Sequence, residues 1–68
     1  MDIQPGDQVR VFDAHEWWQA GGDIEDNSQF WKTATVQRLY VHDNEKLADV
    51  SIGNRLSKGH FVWGLEKV

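Results

Sequence analysis

The chain has 68 residues, no cysteine and a formal net charge of −4. That length makes a single domain with a small core, no disulfide can staple it, and three histidines without cysteine argue against a structural zinc site. No apolar run approaches the roughly 20 residues of a membrane-spanning helix, and the start, MDIQPGDQVR, lacks the basic and then apolar pattern of a secretory signal, so a soluble cytoplasmic protein stabilised by packing or oligomerisation is expected.

Gln4-Pro5-Gly6-Asp7 reads as a type II turn, because Pro5 presets the first central φ and Gly6 accepts a positive φ at the second. It opens onto a strand from Gln8 to Phe12, with Val9 and Val11 on one face. Residues 13–29 follow no clean period and read as one long loop. Glu16 to Ala20 could make a helical turn but is too short to be stable alone, and Trp17, Trp18 and Ile24 argue against disorder.

Phe30 to His42 is the longest strand signal, rich in β-branched and aromatic residues. Its parity changes between Val36 and Leu39, which a bulge near Gln37-Arg38 would reconcile. Asp43-Asn44-Glu45 reads as a hairpin turn. Lys46 to Ile52 then forms a strand with Ala48, Val50 and Ile52 inward and Leu47, Asp49 and Ser51 outward. Gly53-Asn54 is a further turn, and Lys58 to Val68 reads as a short strand, a bend near Gly64 and a last short strand.

Five short strands separated by turns predict an all-β fold, a small five-stranded barrel with a long loop after the first strand. The opening Gly6-Asp7-Gln8-Val9-Arg10-Val11 resembles the GD-x-V-x-V start of Tudor, KOW and related SH3-like barrels. Trp31 to Val36 is similar to the W-x-A-x-V second strand of Tudor-like domains, with one extra residue before Ala34. Val62 to Val68 resembles the bend and last strand of that superfold. The type II dihydrofolate reductases, tetrameric SH3-like barrels, share Gly6-Asp7-Gln8-Val9-Arg10 and an ending similar to Leu65-Glu66-Lys67-Val68. Their active pore is built on V-Q-I-Y. Ser57-Lys58-Gly59-His60 stands here instead, so no catalytic residue carries over.

Between Asp13 and Asp26 lie five acids (Asp13, Glu16, Asp23, Glu25 and Asp26) and no Lys or Arg. With Trp17, Trp18, Phe30 and Trp31 they form an acidic aromatic loop of the kind that attracts ammonium or guanidinium groups. The competing account is that the tryptophans cap a small core and the acids are solvated. Outside this stretch the chain carries seven cations and six acids, which disfavours nucleic acid as a partner. Leu47, with Phe61 or Trp63, is a candidate apolar interface between subunits.

His15, His42 and His60 show no metal-ligand spacing, Ser51 and Ser57 lack a nucleophile context, and no cofactor motif is read. The expectation is a non-catalytic binding or assembly module for a protein, peptide or cationic small molecule. A small homo-oligomeric enzyme with its site at the subunit interface and a nucleic-acid-binding barrel are the alternatives.

Overall fold

Val9 and Val11 alternate with Gln8 and Arg10, and this period of two builds β1 (Gln8–Phe12), with the valines buried and the polar pair exposed. The computed structural model describes residues 2–22 and 28–68. Four further strands follow: β2 (Trp31–His42), β3 (Glu45–Ile52), β4 (Arg55–Phe61) and β5 (Glu66–Lys67). All neighbours are antiparallel, in the order β4-β3-β2-β1-β5. The all-β class and the five strands are those the sequence predicts.

Turn chemistry sets the registers. Asp7 N–H donates to the Gln4 carbonyl at 3.0 Å across the Pro5-Gly6 turn, where Gly6 has φ +92°. Asp43 and Asn44 both take positive φ, as a two-residue type I′ hairpin requires. Gly53 supplies the positive φ at the first central position of the next hairpin.

The two outer strands, β4 and β5, are consecutive in the chain. In a flat sheet they would lie about 19 Å apart at the usual strand spacing. Their link is a 3-10 turn at Val62–Gly64 followed by Leu65, and such a turn rises only about 2 Å per residue. The sheet therefore curls until its edges approach. Val9, Val11, Ala34, Val36, Ala48 and Val50 fill its concave side, with Ile3, Leu39, Ile52, Val62 and Leu65 packed around them. Each fully buried valine contributes about 2 kcal/mol, so a core this small tolerates few losses.

Two bulges produce the bend. The β2–β3 register shifts between Val36 and Arg38, leaving Gln37 as the extra residue, where the change of parity placed it. The β3–β4 register shifts opposite Asp49, where Lys58 and Gly59 face one residue and Gly59 has φ +76°. Asp49, expected to point outward into solvent, is instead buried. Its carboxylate accepts hydrogen bonds from Arg38 Nε at 2.9 Å, Tyr40 Oη at 3.0 Å and Gly59 N at 3.0 Å. Burial opposes its charge, but these donors outweigh burial and hold the carboxyl below its ordinary range.

The segment after β1 is not loop throughout. Residues Ala14–Gln19 form α1, and Ser28–Phe30 form a 3-10 turn. Six residues do not make a helix by themselves. Asp13 stabilises this one as its N-cap, its carboxylate accepting from Glu16 N at 3.3 Å, and Trp17 packs it against Phe12.

Candidate binding surface

Asp13 continues the inward parity of Val9 and Val11, so its side chain closes the end of the core and is only 3% exposed. Arg55, the first residue of β4, is inward by its pairing with Ile52 and meets Asp13 at 2.5 Å. Burial works against the Asp13 charge, but the bonds from Glu16 N and Arg55 prevail and lower its pKa. Asp13 is thus a capping and cross-sheet ion-pair residue, with its charge met inside the chain.

Phe12 has the opposite parity and emerges on the convex side beside its register partner Trp31. Its ring centroid lies 5.7 Å from Trp31, 6.0 Å from Trp17 and 6.4 Å from Phe30. Trp17 in turn meets Trp18 at 5.2 Å. Phe30 is buried and Trp17 half-buried, while Trp31 is exposed and Trp18 is 67% exposed. On a helix the two adjacent indoles point about 100° apart, so one packs and the other faces water. Glu16 pairs with Lys32 at 2.9 Å. Of the sequence-chosen loop residues, the structure brings Glu16, Trp17, Trp18, Phe30 and Trp31 to one end of the sheet and turns Asp13 into the core. Asp23, Glu25 and Asp26 lie outside the described residues.

A second aromatic group faces solvent near the same end. Phe61 and Trp63 stack with centroids 5.1 Å apart and planes 18° from parallel, and Trp63 is 76% exposed. Leu47 is the register partner of Phe61 and shares its face, half-buried. The three interface candidates therefore form one continuous apolar strip.

Between Phe61–Trp63 and the end of β1 runs a groove of about 420 Å³, walled by Val11, Phe12, Ala14, His60, Trp63 and Leu65 among others. Its lining is mostly apolar, the character of a recognition site for apolar side chains. Another hollow, of about 490 Å³, borders Val62 but mixes Asp2, Gln4 and Lys46 into its walls.

His60 is the polar member of the groove wall. Its partner Ala48 makes it inward, it is half-buried, and its Nε2 lies 2.6 Å from Ser57 Oγ. Burial lowers its pKa, Asp13 and Asp49 act in the opposite direction, and Arg55 adds to the lowering. No carboxylate is hydrogen-bonded to the ring among the described residues, so Ser57 and His60 form a pair without a third member.

Phe12, Arg55, His60 and Leu65 were not singled out from the sequence as site residues. Gly59 inside a strand was the available signal, because such a glycine marks a bulge. The bulge changes the phase of β4, which lets Ser57 and His60, three residues apart, both face inward. No family model matches the chain, and no curated protein or solved structure is significantly similar to it.

Proposed function

We propose that the chain is a non-catalytic binding or assembly module that recognises a protein or peptide segment through the groove between Phe12 and Trp63. The observation that carries this reading is the stacked Phe61–Trp63 pair held exposed beside an apolar trough. Large aromatics of this kind are the commonest anchors of protein interfaces. A core of small valines and alanines leaves no room for them inside, and their exposure is a cost that partner binding would recover.

The strand order, with a 3-10 turn before the last strand, supports the reading of an SH3-like small barrel. A net charge of −4 favours a cationic segment over an acidic one. Nucleic acid remains the disfavoured partner: Lys32, Arg38, Arg55 and Lys67, four of the seven cations, are in ion pairs among the described residues. No helix of the described residues is long and apolar enough to cross a membrane, and the lack of cysteine favours the cytoplasm.

The test is a titration of the isotope-labelled protein with short synthetic peptides that combine Arg with Leu or Pro. Shifts of the Trp63 indole and of the His60 and Leu65 amides at millimolar peptide are expected, and Trp63→Ala should abolish the two amide shifts. A titration that leaves all three unmoved rejects the reading.

A further inference from the structure

The outward face of β2, β3 and β4 is ordered in rows that cross the strands. Tyr40, Leu47 and Phe61 are register partners and form one row, which Trp63 extends by stacking on Phe61. One step along the strands toward the Asp43-Asn44 hairpin lie His42 and its partner Glu45. One step the other way lie Arg38 and its partner Asp49, with Lys58 beside them, continuing the outward parity of Leu56. The apolar row thus has an acid on one flank and cations on the other.

Some of these charges are already met within the chain. Asp49 pairs with Arg38 at 2.9 Å, and His42 lies 3.3 Å from Asp43. Glu45 and Lys58 are exposed and stand in no ion pair among the described residues. The level of Glu45 and that of Asp49, which Lys58 sits opposite, are about 13 Å apart at the rise of an antiparallel strand. Across that distance, with the apolar row between them, the two do not meet inside one chain.

We propose that this face is the interface of a symmetric dimer. Two copies pack Tyr40, Leu47, Phe61 and Trp63 against each other about a two-fold axis running along the row. Rotation about that axis reverses the strand direction, so the acidic flank of each copy lies over the cationic flank of the other. Glu45 then meets the partner subunit's Lys58, and Lys58 meets the partner subunit's Glu45. A two-fold axis along the strands would instead set like flanks together. The face is complementary to itself in charge as well as in apolar character, which makes a second copy of this chain its occupant.

The area fits. Trp63 is 76% and Phe61 45% exposed, and with half-buried Tyr40 and Leu47 they present on the order of 350 Å² of mostly apolar surface. A stable interface takes about 800 Å² from each partner, a little over half of it apolar. The alkyl stems of Arg38 and Lys58 supply much of the remainder. The contact goes beyond the peptide-binding reading and does not rest on it. It shares Phe61 and Trp63 with the groove, whose other walls belong to β1, α1, the inner side of β4 and the turn after it.

The experiment measures solution mass by sedimentation equilibrium over a concentration series of the intact chain, from about 1 μM to about 1 mM, the range in which moderate interfaces dissociate. The wild type should pass from monomer to dimer. Lys58→Glu and Glu45→Lys should each weaken the dimer about tenfold, since each substitution sets like charges together at two symmetry-related contacts. An equimolar mixture of the two variants should recover the dimer, because every contact in the mixed pair again joins opposite charges. The double variant should recover it as well.

A wild type that stays monomeric at the highest concentration overturns the proposal and leaves the groove reading standing. Single variants that dimerise as the wild type does, or a mixture that stays monomeric, place any dimer contact elsewhere and overturn it too. Should either variant fail to fold, dilution of the wild type followed by nuclear magnetic resonance decides. The Tyr40, Leu47 and Phe61 amides should shift on dissociation while those of Gln8 and Arg10 on β1 stay fixed, and the reverse pattern rejects this face.

Discussion

Arg55 Nη2 donates to Asp13 Oδ2 at 2.5 Å, joining the start of β4 to the end of β1 across 42 residues of chain. In the sheet, β3 and β2 lie between these two strands, so the contact exists only because the sheet curls. The same carboxylate caps α1, which places the aromatic cluster. One buried aspartate thus ties the closure of the sheet to the position of the recognition surface.

Removing either partner tests this tie. Arg55→Ala leaves a buried carboxylate without its cation, at an expected cost of about 2 kcal/mol, below the usual figure for a buried pair because Arg55 is 39% exposed. Asp13→Ala loses the cap as well and should cost about 1 kcal/mol more. Urea denaturation of the two single variants and the double variant measures the coupling. Additive losses would show that the pair contributes nothing of its own.

Acid should unfold the protein through Asp13 and Asp49. Both have pKa values below the ordinary carboxylate value of 3.8. Their contribution is therefore complete above the unfolded-state value, and it is lost as pH falls through the lower folded-state values. Stability should be level above about pH 5 as far as these groups decide it, then fall steeply. Asp49→Asn should lower the plateau and flatten the acid limb. A limb of unchanged slope would clear Asp49.

Gly59 holds the bulge that brings its N–H to Asp49. A Cβ added there meets only Tyr40 Oη, at 4.0 Å, so space is not the obstacle. The φ of +76° is, and Gly59→Ala should cost about 1–2 kcal/mol. A thermal melt would read this as a fall of several degrees for a domain of this size. An unshifted melt would mean that the bulge relaxes at no cost.

The exposed aromatics should separate binding from folding. Trp63→Ala and Trp18→Ala remove largely solvated side chains and should change stability by about 0.5 kcal/mol or less. Phe12→Ala removes the ring that Trp17, Phe30 and Trp31 all touch and should cost about 3 kcal/mol. Chemical denaturation ranks the three. A large loss at Trp63 would make that residue structural.

Leu47→Asp places a charge in the strip shared with Phe61 and Trp63. If that strip joins subunits, light scattering should find a smaller particle for the variant than for the wild type. A folded variant of unchanged mass would clear Leu47 of an interface role.

Much of the fold was legible in the chain itself. Turn types follow from local φ preferences at Gly6, Asp43-Asn44 and Gly53, and the inward valines and alanines follow from a period of two. The bulge at Gln37 was readable because a change of parity inside one strand has few other causes. Trp18, Trp31, Phe61 and Trp63 were readable as surface candidates, since so small a core cannot bury them all.

What the tertiary structure alone decided was which charges meet and which faces join. Asp13 belonged by sequence to an acidic loop and Asp49 to a solvent-facing row. Arg55, brought round by the curled sheet, and Gly59, at a bulge in the neighbouring strand, made both into buried acceptors. The same curl set Phe12 and His60 into one groove with Trp63. Local preferences act over a few residues and are written in the sequence. Contacts between β1 and β4 depend on accumulated bend across a whole sheet, which no short stretch of residues encodes.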